Sequence, residues 1–376
     1  RSNNRRLGKG KDMTRLVIEK DKIVHNLQVI REKAGGGELI AVLKADAYGL
    51  GLLPMAGLLR EQGVRRFGVT EPRDAARLRE VGFVEEEILM LRSTSLREDI
   101  QIIVDSLATA AVGSYDAAVA LSGAAEEQGT ALDVHLEIDT GMGRYGFMPS
   151  EIERILSIYR YMGSLNVTGM FTHFPSAFSN KKATLAQQQA LLDTAAKVRQ
   201  AGFEPGMLHA ANSAALFHCG LPPLDGVRVG SAISGRTTGR GETGLQKTGR
   251  LETQVAEVRW LPAGSGVGYG PAFVTRKPTQ IAVIPLGYWE GFLVEKSRDS
   301  YRFRDAFRYC LGDAAKWLRR KRFYVTINGR RARVLGHVGL NHVTADVTQM
   351  ECHPGDPVAM DVSPMFVPEQ IPRVYQ

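Results

Sequence analysis

Cysteine is scarce. Cys219, Cys310 and Cys352 stand far apart among 376 residues, with no C-x-x-C pair. That spacing excludes a zinc knuckle or a disulfide framework, and no metal is expected; a reducing cytoplasm is the simplest setting. No uncharged apolar run reaches eighteen residues, since even the alanine-rich stretch 103–125 is broken by Asp105 and Asp116. No membrane span is therefore expected. The chain begins at Arg1 without a signal peptide pattern, and repeats and low-complexity tracts are missing. Acidic residues are in short supply, 40 against 48 lysines and arginines. The excess gathers in "RSNNRRLGKGK" and "KWLRRKRFYVTINGRRAR". Runs of this kind are more often solvated faces than nucleic-acid sites, so no nucleic acid partner is expected, and the balance suits an anionic ligand such as a phosphorylated cofactor.

Short apolar, β-branched runs recur through the first 230 residues: 39–44, 66–70, 87–91, 108–112, 133–138, 167–171, 207–210 and 226–230. Amphipathic stretches lie between them, including "TLAQQQALLDTAAKVRQAG", which closes on a glycine as a helix end does. Strict alternation repeated eight times predicts a closed parallel (β/α)8 TIM barrel over residues 14–240, with an open doubly wound sheet as the competing α/β arrangement. Residues 1–13 form a basic N-terminal segment. From 241 to 376 the rhythm is strand after strand, with an Asn328-Gly329 turn, which predicts a mostly β C-terminal domain. A helix-prone, basic insertion at 296–322 interrupts it.

Active sites of such barrels sit at the C-terminal ends of the strands. Lys44 follows the first run, Arg144 ends "DTGMGR" after the fifth, His173 follows the sixth, Asn212 and Ser213 the seventh, and Arg228 lies on the eighth. A lone histidine or arginine there is ordinarily structural; five polar groups on one rim are not. The loops after strands seven and eight commonly bind phosphate through backbone N–H groups, and here they contain Asn212-Ser213 and Gly230-Ser231. With Lys44 as a Schiff-base amine, the set describes pyridoxal 5'-phosphate. An arginine at the pyridine nitrogen can only donate, so Arg228 would keep that nitrogen neutral and favour simple Cα proton exchange over transamination or elimination.

In order and spacing, "AVLKADAYGLG", "EIDTGMGRYGF", "GMFTHF", "HAANSAA", "GVRVG", "GVGYG", "IPLGYWEGF" and "IPRVY" resemble the bacterial alanine racemases, from about residue 14 to the end. The resemblance implies a homodimer, with pyridoxal phosphate held by Lys44 and the small-molecule amino-acid substrate inverted between Lys44 and Tyr269, the tyrosine arriving from the partner subunit. It further implies that Tyr48, Ser213, Gly230, Ser231 and Tyr288 hold the phosphate and that Arg144 meets the cofactor's phenolic oxygen and the substrate carboxylate. His173 would pack by the ring and Arg228 would take its nitrogen. The product would feed cytoplasmic D-alanine to peptidoglycan.

Four departures stand out. Glu137 replaces a lysine that is carboxylated in many members and could hold Arg144 directly. Leu340-Asn341 stands where the family's Met-Asp lines the substrate pocket. Glu369 stands near a usual phosphate-binding tyrosine, and the insertion has no counterpart. These leave serine as the alternative substrate, with the basic start as the juxtamembrane linker of a membrane-bound racemase of that kind. A non-catalytic pyridoxal-phosphate carrier is the alternative from another class; such carriers lack the second domain and its tyrosine.

Overall fold

The computed structural model describes residues 14–239, 241–270, 272–297, 303–318 and 322–376. The basic segment 1–13 lies outside the described residues, as do 298–302 and 319–321 of the insertion. Two compact units divide the chain: Lys20–Thr248, and Gly249–Gln376 together with the N-terminal stretch up to Glu19.

The first strand, β1 (Arg15–Ile18), differs from the sequence expectation that the barrel starts at residue 14. It pairs antiparallel with a strand at Arg250–Gln254 and parallel with one at Arg373–Tyr375, inside the second unit. "RLVI" is apolar enough for either unit, and its pairing partners lie more than 200 residues away, beyond the reach of local pattern.

The barrel strands are β2 (Glu38–Val42), β3 (Arg66–Val69), β4 (Glu87–Ser93), β5 (Thr109–Val112), β6 (Leu132–Glu137), β7 (Leu165–Phe171), β8 (Met207–Ala211) and β9 (Gly226–Val229). Each pairs in parallel with the next, and β9 returns to β2 to close the ring. All four residues of β5 and of β9 are buried. Burial on both faces explains why these strands read as continuous apolar runs with no alternation. The intervening helices carry local start signals. Ser114, Asn180 and Asn212 each accept the backbone N–H three residues on, at 3.1, 3.0 and 3.0 Å, and Pro72 opens its helix where its missing N–H costs nothing. Helix Lys181–Gln200 ends before Gly202, whose φ of +85° suits the glycine expected there.

The second unit holds a nine-stranded sheet built on β1 and β10 (Arg250–Gln254), β11 (Glu257–Leu261), β14 (Thr279–Ile284), β15 (Tyr324–Ile327), β16 (Arg330–Leu335), β17 (Val343–Asp346), β18 (Pro357–Asp361) and β19 (Arg373–Tyr375). β12 (Gly266–Val267) and β13 (Phe273–Val274) form a separate hairpin. Asn328 and Gly329, at φ +49° and +74°, make the expected tight turn between β15 and β16. Part of the insertion is helical, Phe303–Leu318. No helix of the described residues is long and apolar enough to cross a membrane.

Candidate active site

The barrel unit opens a cavity of about 510 Å³, lined by nine of the residues expected at the rim: Lys44, Tyr48, Arg144, His173, Asn212, Ser213, Arg228, Gly230 and Ser231. Glu137 joins them.

Lys44 stands two residues past β2, at the start of a turn of unusual hand. Ala45, Asp46, Ala47 and Tyr48 all have φ between +52° and +58°. Sequence spacing suggests an ordinary helical turn from Lys44 to Tyr48; the structure makes it left-handed. An L-residue in that region costs about 1–2 kcal/mol, so four in a row persist only where surroundings enforce them. Leu43 accepts the Ala47 N–H at 2.8 Å, Asp46 accepts Gly51 through its carbonyl at 2.9 Å and Leu52 through Oδ1 at 2.8 Å, and Ala47 is buried. The result brings Lys44 and Tyr48 together on the cavity, with the ammonium 5.9 Å from the tyrosine ring centre. Burial, then the cations Arg144 and Arg228, lower the Lys44 pKa below the ordinary amine range. This favours a nucleophilic free amine.

Arg228 is buried on β9. One terminal nitrogen donates to His209 Nδ1 at 2.8 Å and the His209 carbonyl at 3.0 Å; the other donates to the Thr172 carbonyl at 2.7 Å and the Ala210 carbonyl at 3.3 Å, and lies 3.5 Å from His173 Nδ1. Both terminal nitrogens are thus committed, leaving Nε–H as the remaining donor. Burial brings Arg228 down to about 10, still a cation at neutral pH.

Because an arginine only donates, His209 Nδ1 accepts and the His209 proton sits on Nε2. That proton points to His135 Nδ1 at 2.8 Å, so the His135 proton sits on Nε2, 3.5 Å from Glu87 Oε1. The run Arg228–His209–His135 is hydrogen-bonded through neutral rings, and Glu87 Oε1 lies beyond it without a hydrogen bond: burial, then neighbouring arginines, bring His135 to about 3 and His209 well below its usual range. His173 falls to about 3 for the same reasons, with Lys44 adding to the cationic field. His135 and His209 escaped the sequence reading because one histidine on an apolar strand resembles a satisfied core residue.

Between β6 and the helix Ile152–Tyr161, "DTGMGR" folds around Asp139, whose Oδ1 accepts Gly141, Met142 and Gly143 N–H groups at 2.9, 2.8 and 3.1 Å. Burial alone would raise this carboxyl, but the three N–H groups outweigh it and hold it low. The carboxylate thus ties together the loop that ends at Arg144. Glu137, at the end of β6, is 3% exposed and its Oε2 has no hydrogen-bond partner. Burial raises it to about 7 against the opposing pull of Arg228 and Arg144.

Opposite, Ser213 Oγ accepts the Gly230 and Ala232 N–H groups at long range, 3.4 and 3.3 Å. A Cβ on Gly230 would lie 2.3 Å from the Tyr48 hydroxyl, so only glycine lets that ring approach. Burial pushes Tyr48 up to about 12, against a bond from the Ser231 backbone, which keeps it a neutral hydroxyl donor.

The remaining expected residues belong to the second unit. Tyr269 projects from the β12–β13 hairpin, 80% exposed, between Gly268 and Gly270, both at positive φ. The Tyr288 turn packs against Leu340-Asn341. Tyr288 N–H donates to the Gly339 carbonyl at 3.1 Å and Trp289 N–H to the Leu340 carbonyl at 3.0 Å, while Glu290 binds both the Gly287 N–H at 2.7 Å and Asn341 Nδ2 at 3.0 Å. Glu290 was not anticipated, and it gives Asn341 a fixed orientation.

A closed parallel barrel with a desolvated lysine beside a hydroxyl and N–H cradle, joined to a second β unit, defines a two-domain barrel enzyme built for amine chemistry. Residues 18–238 match the family model for the alanine racemase N-terminal domain and 248–363 that for its C-terminal domain. Similar curated proteins include an alanine racemase of Methylacidiphilum infernorum, 31% identical over 88% of this chain and 79% of that one, and one of Beutenbergia cavernae, 34% identical over 74% and 75%. The solved alanine racemase of Clostridium difficile shares the fold at a TM-score of 0.82, with 24% identity over 97% of this chain and 96% of that one. The chain belongs to the alanine racemase family, and is an amino-acid racemase.

Proposed function

We propose that this enzyme interconverts L- and D-alanine with pyridoxal 5'-phosphate, using one base on each face of the substrate Cα. The observation that carries the reading is Lys44, a desolvated amine lining one cavity with the Tyr48, Ser213 and Gly230-Ser231 donors. When bound, the cofactor supplies an aldehyde that condenses with an amine and a ring that acidifies the Cα proton. The donors present fit it. Tyr48, Ser213 and the Gly230-Ser231 backbone would hold the phosphate beside Asn212, with Tyr288 assisting. Arg228 would donate from Nε to the ring nitrogen, and the neutral His173 would pack by the ring.

Arg144, steadied by the Asp139 loop, would bind the substrate carboxylate and the cofactor's phenolic oxygen, fixing which face of Cα meets which base. Lys44 Nζ would take or return the proton on one face and Tyr269 Oη on the other. Two groups are required, because a proton removed and restored on one face regenerates the starting enantiomer. Leu340 and Asn341 would line the substrate pocket. Tyr269 acts across a homodimer in this reading, so that each of two sites draws on both subunits. The enzyme would work in the cytoplasm and supply D-alanine for peptidoglycan. The C-terminal-domain match and the exposed Tyr269 count against a non-catalytic carrier.

Mixing two inactive variants tests the shared site. Lys44→Ala and Tyr269→Phe subunits, unfolded together and reassembled, should regain roughly a quarter of wild-type turnover, since half the dimers are hybrids and each hybrid has one intact site. No recovery on mixing would contradict the shared site. L-Serine assayed beside L-alanine decides between the two substrates.

A further inference from the structure

We infer that the helix Phe303–Leu318 is a docking surface for bilayers rich in anionic phospholipid. At 100° per residue, Phe303, Phe307, Leu311, Ala314, Trp317 and Leu318 fall within an arc of roughly 120°, and Arg304, Asp305, Arg308, Asp313 and Lys316 fall outside it. An amphipathic helix normally turns such an arc to the core. This one does not. No residue of the helix is buried, and Phe303, Phe307, Leu311, Trp317 and Leu318 are between 56% and 85% exposed. Its less exposed positions include Asp305 and Tyr309, on the polar side. Phe303 and Phe307 stack on each other, ring centres 6.4 Å apart, one turn along the exposed face. Bulky aromatic and aliphatic side chains are what an interfacial helix sinks into the headgroup boundary.

Charge selects the occupant. Segment 296–322 carries ten lysines and arginines against three aspartates, which is nearly all of the chain's net +8. Within the helix, Arg308 pairs with Asp305 at 3.0 Å and Lys316 with Asp313 at 3.5 Å, all four outside the apolar arc. A second copy docking on this face by a two-fold axis would set two such basic segments against each other. A nucleic acid would need cations at the centre of the contact, where this face has phenyl, indole and aliphatic groups. An anionic bilayer satisfies both features at once: apolar side chains enter it, and the segment's excess of positive charge is drawn to phosphate headgroups.

The test is sedimentation of the full-length, cofactor-loaded protein with phosphatidylcholine vesicles, with or without phosphatidylglycerol as a minority component. The protein should sediment with the anionic vesicles alone, less so as salt rises, and its tryptophan emission should shift to the blue through Trp317. Phe307→Glu with Leu311→Glu should weaken vesicle partitioning at least about tenfold while alanine racemisation in solution is unchanged. Failure to bind either vesicle, equal binding to both, or undiminished binding by the double variant would each overturn the proposal. So would a shift of the double variant to a smaller assembly without vesicles, which would assign the face to a second copy.

Discussion

Replacing Glu137 by glutamine probes a buried carboxyl of the barrel whose Oε2 has no hydrogen-bond partner. Its carboxyl is raised from 4.5 to about 7, chiefly by burial, with Arg228 and Arg144 too weak to restore it. At about 1.4 kcal/mol per tenfold change in proton affinity, the rise corresponds to roughly 3 kcal/mol. The folded-state value lies above the unfolded one, so the group's contribution is fully present below pH 4.5. It declines as the unfolded chain ionises and is gone once pH passes 7. Glutamine fills the same volume and does not titrate. Urea unfolding of the cofactor-free protein, wild type beside Glu137→Gln, should therefore show the variant gaining on the wild type by roughly 2.5 kcal/mol between pH 5 and pH 8. The comparison uses a difference, so an offset common to every pH is immaterial. A difference that stays flat, or that moves in favour of the wild type as pH rises, would mean that the arginines hold Glu137 ionised and that burial does not dominate.

Other perturbations address the cradle, the loop and the amine. Gly230→Ala drives a methyl into the Tyr48 ring and should weaken cofactor binding about 10- to 100-fold, the worth of a charge-assisted hydrogen bond. In a titration followed by the cofactor's absorbance, Tyr48→Phe should cost a similar factor and the double variant little more; independent, additive losses would refute the steric link. Asp139→Ala frees the N–H groups that shape "DTGMGR" and should raise KM for alanine about tenfold through Arg144, with a smaller change in cofactor affinity. Lys44→Ala should abolish both turnover and the visible absorbance of the lysine-bound cofactor. A yellow Lys44→Ala protein would disprove the assignment of that lysine.

Legibility in the sequence followed the range of the forces involved. The eight barrel strands could be read because largely buried strands leave short apolar runs, and most of the residues lining the cavity could be placed near it because they follow such a run. The Asn328-Gly329 turn and Gly202 were equally local, since glycine and asparagine mark positive φ. The left-handed turn was hidden: Ala45, Ala47 and Tyr48 carry no preference for it, and the restraint comes from Leu43, Asp46 and packing. β1 was assigned to the wrong unit because its partners at Arg250–Gln254 and Arg373–Tyr375 are remote. The His135–His209 relay depended on register between strands that a linear pattern does not encode. The insertion's helical tendency was apparent, whereas the outward turn of its apolar face depends on tertiary placement.

The central claim is inversion at Cα by two opposed bases, and it is tested most directly in deuterium oxide. Cofactor-loaded enzyme given L-alanine should incorporate solvent deuterium at Cα as D-alanine accumulates, with Tyr269→Phe losing inversion and keeping slow exchange only into the enantiomer whose Cα proton faces Lys44. Deuterium entering wild-type L-alanine without any D-alanine appearing would contradict the account.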